Sequence, residues 1–330
     1  MKPQYLHVTF GEHETKIPYF EIIGKQPGPD IFLSAGMHGG EINGIAAVEA
    51  FLRWAERRNL QADLTGRIIA LPLLNPSGFE NKQRRVAEDN GDLNRSFGIS
   101  EPTNLSEQIA YDLTEKLLKV CEFGIDFHDA SGTAALLPHA RVHKDEASGA
   151  TMEMGQLFGT KILIEREGKP NMMAVALNTL YKIPVLTVEI GGSQRIFPEY
   201  IHLAIRGIRN FLIAKGMAPG EVLVPERQFL LTRRFGVKEK EASMVEFSIE
   251  LGDQVHYGDV LGRLYYPSRM EVKEIKAPMC GIIFSLQQLN QVEAGDTLFS
   301  ILETDSCHIA RTTLDAYREL EALKVTKIRM

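Results

Sequence analysis

Cysteine is scarce in this chain. Only Cys121, Cys280 and Cys307 occur, far apart in sequence. An odd, scattered set offers neither a disulfide framework nor a Cys-x-x-Cys clamp, and it fits reduced thiols in a cytoplasm. Any metal here must therefore be held by histidine and carboxylate. Long apolar runs are also missing, so no membrane span is expected. The start, Met1-Lys2-Pro3-Gln4-Tyr5-Leu6-His7, lacks the apolar core of a signal peptide, and a cytoplasmic location is the expectation. There is no basic excess: Lys and Arg number 37 against 43 Asp and Glu, a net charge of -6. That leaves no electrostatic footprint for nucleic acid. What remains is an ordinary globular composition, 44% apolar and 24% charged, in 330 residues, enough for two domains.

Against that background one stretch stands out, Gly36-Met37-His38-Gly39-Gly40-Glu41-Ile42-Asn43-Gly44. It follows an apolar run, Ile31 to Ala35, that reads as a buried strand. It precedes Ile45 to Arg58, where Ile45, Val48, Phe51, Leu52 and Ala55 recur at helical spacing. The stretch is thus a strand-to-helix turn, and His38 and Glu41 lie three residues apart within it. An imidazole and a carboxylate so placed can reach one metal ion if a third ligand arrives from elsewhere. Read alone, the same turn also fits two solvated polar residues among glycines.

Further along, Gly66 to Leu74 reads as a second buried strand, ending in the turn Asn75-Pro76-Ser77-Gly78. Residues 79 to 104 are polar and aperiodic, either a functional loop or a solvated excursion. Ser106 is placed to cap a helix running to about Cys121. Phe123 to Gly132 reads as a strand with His128 near its end, where a lone histidine is usually a structural hydrogen-bonder. Leu136–Arg141 and Lys161–Ile164 read as strands, Ala174–Tyr181 as a helix, and Glu199–Lys215 as an amphipathic helix. Ile183 to Gly192 is a buried strand carrying one carboxylate. A glutamate among Val, Leu and Ile is costly unless paired or used, which marks Glu189 as a functional candidate.

The composition changes after Gly216-Met217-Ala218-Pro219-Gly220. From Glu221 to Glu303 the pattern is short strands and tight turns, and residues 252–261 resemble 291–298. The expected organisation is an α/β domain over 1–218, an all-β domain over 219–305, and a helical tail over 306–330 with a helix at Thr313–Leu323.

Taken in order, the motifs resemble the zinc carboxypeptidase superfamily, and within it the succinylglutamate desuccinylase and aspartoacylase branch. They are His-x-x-Glu at 38–41, Asn-Pro-x-Gly-Phe at 75–79, an arginine at Arg85 with Arg84 one register away, Asp-Leu-Asn-Arg-x-Phe at 92–97, Asp-x-His at 126–128 and Glu-x-Gly at 189–191. The resemblance implies a zinc-carboxypeptidase-like mixed sheet flanked by helices, and one Zn2+ per chain held by His38, Glu41 and His128. It implies that Asp92 orients the first histidine and that Glu189 is the general base. It implies that Arg85 polarises the scissile carbonyl and that Asn94 and Arg95 hold a substrate carboxylate. Where the branch often has Pro-Gly after Asn-Arg-x-Phe, this chain has Gly98-Ile99-Ser100.

The implied activity is a hydrolase cleaving the amide bond of a small N-acyl amino compound, a deacylase. A metallocarboxypeptidase that trims peptides, and a non-catalytic binding protein on the same fold, are the alternatives. A small-molecule substrate is the expected partner, with no nucleic acid and no membrane, and the sequence leaves a homo-oligomer open. Arg141, Arg195, Tyr265 and Tyr266 are candidate specificity contacts. The C-terminal module resembles the barrel-sandwich fold of biotinyl and lipoyl carriers, matching at 252–261 and 275–281. Met270 stands where a carrier has its modified lysine, and Lys273 is out of register, which implies a non-acylated relative.

Overall fold

A computed structural model describes residues 1–303 apart from 131, 145–147, 193 and 232. The expected tail helix and Cys307 fall outside the described residues. Contacts divide the chain into two units. The first comprises residues 1–131 and 138–230, and the second comprises 132–137 and the chain from 231 onward.

The first unit is built on a mixed sheet. Its strands are β1 (Gln4–Phe10), β2 (His13–Ile23), β3 (Gln26–Ser34), β4 (Thr65–Leu71), β5 (Phe123–Ala130), β6 (Ala134–His143), β7 (Ile162–Arg166) and β8 (Val185–Gly192). They lie in the order β1-β2-β4-β3-β5-β8-β6, with β7 on β6. β1, β2 and β4 pair antiparallel at one edge, while β4, β3, β5 and β8 are parallel neighbours. The parallel strands read as near-continuous Val, Ile and Leu runs because helices cover both of their faces.

The helices are α1 (Ile42–Arg57), α2 (Pro76–Glu80), α3 (Leu105–Leu113), α4 (Ser148–Phe158), α5 (Met173–Tyr181) and α6 (Pro198–Ala214). α1 packs on α6 and α6 on α4. Residues from α3 and α5 share a separate core with Phe32, Ile69, Leu71 and Val185. Ala47, Val48, Phe51, Leu52 and Ala55 form the buried stripe of α1, the spacing that the sequence displays.

Several element ends differ from the sequence reading, each for a local reason. α1 begins at Ile42 because the Asn43 backbone N–H and side-chain amide both donate to Asp129 Oδ2, at 3.0 and 2.9 Å, which partners donors that a helix start leaves free. Asn75 and Pro76 open the short helix α2, the Asn75 side chain accepting from Gly78 N at 2.9 Å. Asn104, not Ser106, caps α3, accepting from Glu107 N at 3.0 Å; the Ser106 hydroxyl instead donates to Asp89 at 2.7 Å. The helix after it ends at Leu113 and widens to one π turn at Thr114–Leu118. Among the described residues no helix is long and apolar enough to cross a membrane.

The second unit has two antiparallel sheets. One joins Ser243–Phe247, Val260–Tyr266, Glu271–Lys276 and Gln291–Val292. The other joins Arg234–Lys238, Thr297–Glu303, Gly281–Gln287 and Gln254–Val255, with Ala134–Leu136 pairing against Ser285–Gln287. Val245, Leu261, Leu264, Ile283, Leu298, Phe299 and Ile301 fill its core. Its turns reuse one device, a Gly-Asp corner. Gly252, Gly258 and Gly295 each adopt a positive φ, between 88° and 96°. The Asp that follows each of them accepts the N–H three residues back, at 2.7–2.9 Å. The resemblance between 252–261 and 291–298 is thus a repeated turn. Met270 sits in the hairpin between Val260–Tyr266 and Glu271–Lys276, with φ 55° and its side chain in solvent.

A candidate metal and catalytic centre

Parallel β3, β5 and β8 end at the same edge of the sheet, so the residues at their carboxyl ends meet. His38 and Glu41 lie on the turn after β3, His128 near the end of β5, and Glu189 beside His128 in the β5–β8 register. The turn folds tightly because Gly39 lies against Gly78: a Cβ on Gly39 would fall 2.0 Å from the Gly78 carbonyl carbon. That contact brings the 75–79 motif against the 38–41 motif.

His38, Glu41 and His128 are all buried and offer ligand atoms within 4.8 Å of one another. His38 Nδ1 lies 2.7 Å from Glu41 Oε1, and His128 Nδ1 lies 2.8 Å from Glu41 Oε2. The far nitrogen of each ring faces another carboxylate: His38 Nε2 is 3.2 Å from Asp92 Oδ1, and His128 Nε2 is 2.8 Å from Asp126 Oδ2. Asp126 in turn accepts from the Ser34 hydroxyl at 2.7 Å. Asp92 also accepts from Asn94 N at 3.1 Å as the cap of a short 3-10 turn. If each Nε2–H donates to its aspartate, each Nδ1 presents a lone pair toward Glu41.

The electrostatics of this half are those of a cation site. Burial alone would raise the Glu41 carboxyl, but the His38 charge and the His128 hydrogen bond hold it well below the usual range. Burial would likewise lower His128, yet Asp126 and Glu41 push it well above its ordinary value. Asp92 is depressed by His38 and Arg84 against the pull of burial. Asp129, buried and close to Glu41, is pushed well up. Two nitrogens and a carboxylate facing one point, with acidic groups behind them, suit a divalent ion such as zinc, and a cation there would replace the protons this cluster attracts. The donor set therefore fits the implied metal.

The other expected residues fall as follows. Glu189 is buried on β8, and its Oε1 pairs with Arg141 Nη1 at 2.7 Å. Asn94 is buried, and its side-chain oxygen accepts from Met173 N at the start of α5 at 3.0 Å, which leaves its amide NH2 as a donor. Arg95 donates to Asn94 O at 2.5 Å and lies in electrostatic reach of Asp92 and Arg166. The two arginines of the 79–92 loop are placed differently. Arg84, not Arg85, reaches the cluster, with Nη1 3.3 Å from Glu41 Oε1 and Nη2 3.3 Å from Asp92 Oδ2. Arg85 is exposed and donates to the Asn90 carbonyl at 2.8 Å. The carboxylates draw in the guanidinium that can reach two of them, while buried Val86 anchors the chain just beyond.

Sequence reasoning gave no role to Asp126, Asn43, Asp129 or the Arg141–Glu189 pair. Asp-x-His was the available signal for Asp126, since alternation along a strand puts residues 126 and 128 on one face. Nothing local signals the Arg141–Glu189 pair, whose members are 48 residues apart in sequence. Of the other candidate specificity contacts, Arg195 donates its backbone N–H to Gly192 O at 3.3 Å, while Tyr265 and Tyr266 lie in the second unit, bonded to Glu246 and Glu239.

Such a sheet, with a two-imidazole, one-carboxylate cluster at the ends of parallel strands and a buried glutamate beside it, defines an α/β enzyme domain. The succinylglutamate desuccinylase/aspartoacylase catalytic domain matches residues 27–214, more than half of the chain, and the protein belongs to that family. It is 29% identical over 293 residues to an N-alpha-acetyl-L-2,4-diaminobutyric acid deacetylase of Halomonas elongata, covering 86% of this chain and 84% of the relative. The product-bound ectoine utilization protein EutE (DoeB) of Ruegeria pomeroyi superposes with a TM-score of 0.79 at 26% identity, covering 92% of this chain and 95% of that one. A succinylglutamate desuccinylase of Silicibacter sp. TM1040 matches the fold at TM-score 0.79 and 24% identity, with the same coverage.

Proposed function

We propose that the protein is a zinc-dependent hydrolase that cleaves the amide bond of a small N-acyl amino compound. The observation that carries this is the His38–Glu41–His128 cluster with Glu189 beside His128 on the neighbouring strand. The deacetylase name of the curated relative supports the same reading. His38, Glu41 and His128 would hold the metal, which when bound supplies a Lewis acid that activates water and polarises the amide carbonyl.

The chain's own groups do the rest. Asp92 and Asp126 would fix the two imidazole tautomers, leaving both Nδ1 lone pairs free to hold the metal. A Glu189 carboxylate oxygen accepts a proton from the attacking water and returns it to the departing amine nitrogen. The water oxygen bonds to the acyl carbon, the carbon–nitrogen bond breaks, and an acid and an amine result. Arg84 is the guanidinium placed to stabilise the negative charge that develops on the carbonyl oxygen. Arg95 and the free NH2 of Asn94 supply donors for a substrate carboxylate.

The test is a panel of N-acetyl-2,4-diaminobutyrate, N-acetyl and N-succinyl amino acids and short peptides, run with metal-analysed protein. Release of a free amine from N-acyl amino compounds, dependent on bound zinc, is expected. Cleavage of C-terminal residues from peptides alone would replace the deacylase reading with a carboxypeptidase one.

A further inference from the structure

Three segments of the chain meet at one side chain that the steps above leave unused. Asn43 lies in the first turn of α1, two residues past Glu41, and none of its surface is exposed. Its amide NH2 donates to Asp129 Oδ2 at 2.9 Å and to the Arg195 carbonyl at 2.8 Å. Its side-chain oxygen accepts from Phe197 N at 2.9 Å. Asp129 follows His128 on β5, and Arg195 and Phe197 lie on the turn after β8, the strand that carries Glu189. One buried amide thus joins the turn of His38 and Glu41, the end of β5 and the chain beyond the proposed base.

The contacts demand an amide. Both of its N–H groups donate and its oxygen accepts, so the group is used in both senses. An aspartate in its place would lose both donations and set a second carboxylate against Asp129. The chain beyond Glu189 is shaped to receive this side chain. Gly191 has φ 79°, and a Cβ there would fall 2.8 Å from Asn43 Nδ2, so the end of the strand lies flush on the amide. The Arg195 N–H donates back to the Gly192 carbonyl at 3.3 Å and closes the turn. Gln194 there holds φ 55°, a conformation that costs a non-glycine residue free energy and persists where its surroundings fix it. On the β5 side, the Asp129 N–H donates to Glu41 Oε2 at 3.4 Å. Asn43 therefore constrains the ends of the two strands on which His128 and Glu189 stand beside each other in register.

We propose that Asn43 is a positioning residue. It clamps the 195–197 turn to the turn of His38 and Glu41, and so fixes where the Glu189 carboxylate stands relative to the candidate metal ligands. It acts through Glu189 and touches no substrate. The effect on turnover rests on the hydrolase reading, but the clamp itself does not.

Kinetics and hydrogen exchange of the full-length protein test the proposal together. Asn43→Ala should bind the same zinc and keep its Michaelis constant within about twofold, while turnover falls by ~10², the scale of a misplaced catalytic group. The Phe197 amide should lose its protection from exchange, while the amides of α1 keep theirs. Swapping the pair, Asn43→Asp with Asp129→Asn, separates the clamp from the helix start. The swap restores a donor and an acceptor between positions 43 and 129 but leaves the Arg195 carbonyl without its donor, so turnover should stay low. It also carries the test if Asn43→Ala fails to fold. Normal turnover in either variant, a loss that falls on the Michaelis constant or on zinc content, or unchanged protection at Phe197 would each overturn the clamp. A wild-type protein that releases no amine from any N-acyl compound would instead sink the hydrolase reading, and the exchange result would then decide the clamp by itself.

Discussion

Two buried histidines of the same domain, His128 on β5 and His143 on β6, are driven in opposite directions. His128 has carboxylates on both sides and is pushed well above its ordinary value. His143 is pushed down to about 4, first by burial and then by the charges of Arg141 and Arg166. Burial disfavours the charged form of both; carboxylates overcome it at His128, while guanidiniums add to it at His143. The site thus has an acidic half, built from Glu41, Asp92, Asp126 and Asp129, which attracts a cation. It has a basic half, built from Arg95, Arg141 and Arg166, which attracts an anion. Glu189 lies at the seam, next to His128 in register and paired with Arg141. Under the proposed function the acidic half would hold the metal and the basic half would face a substrate carboxylate.

The sharpest way to break the acidic half is to remove a ligand. His38→Ala or His128→Ala should lose nearly all bound zinc and, with it, nearly all turnover, as measured by metal analysis and single-substrate kinetics. Full zinc occupancy in both variants would rule out this ligand set.

At the seam, Glu189→Gln keeps the shape and removes the base. Turnover should fall by ~10²–10⁴, with zinc content unchanged. A near-normal turnover number would end the proposed proton transfers.

The arginine pair of the 79–92 loop separates geometry from sequence position. Arg84→Gln should lower turnover by ~10², the scale of losing one donor to a developing oxyanion. Arg85→Gln, with its side chain on the Asn90 carbonyl, should lower it far less. Equal losses in the two variants would contradict the placement of Arg84.

The smallest expected effect concerns the basic half and stability. The folded value for His143, about 4, lies below the ~6.5 of an unfolded chain. Between these two pH values the unfolded chain holds a proton that the folded chain does not, so this histidine destabilises the fold as pH falls through that window. The slope approaches ~1.4 kcal/mol per pH unit in the middle of the window and vanishes above about 7. His143→Leu should flatten it, and at neutral pH should be neutral or stabilising by up to ~1–3 kcal/mol, since two unpaired nitrogens leave the core. Denaturant melts of both proteins at pH 5 and pH 7.5 would show it; parallel curves would mean that His143 is not the group responsible.

Much of this was legible in the chain, and the exceptions share a cause. His38 and Glu41 stood out as a polar turn after an apolar run, and His128 joined them through the ordered motifs of the family resemblance; the structure brings the three together. Glu189 showed as a lone carboxylate in a buried run. The helix read at Ile45–Arg58 from its periodicity and the strand read at Ile183–Gly192 from its apolar run lie at Ile42–Arg57 and Val185–Gly192. The register between Arg84 and Arg85 stayed open because the loop has no period to fix which residue turns inward. Asn104 displaced Ser106 as a cap because Asp89 engages Ser106 through both its backbone N–H and its hydroxyl. Read alone, His143 was indistinguishable from an ordinary core histidine; only the β6–β7 register puts Arg166 beside it.

The pairing of Ile31–Ser34 with Phe123–Asp126 has a consequence for the order of folding. The residues joined are 92 positions apart, and β5 in turn pairs with a strand some sixty residues further on. Long-range parallel pairing is slow because loop closure precedes any reward. The second unit combines a local hairpin, Val260–Tyr266 with Glu271–Lys276, with long-range pairings such as Arg234 with Leu302 and Leu136 with Ser285, so it too needs loop closure. The three candidate ligand side chains meet only after β3 and β5 have found each other. A nascent chain would therefore assemble the candidate metal cluster only once the α/β domain is complete.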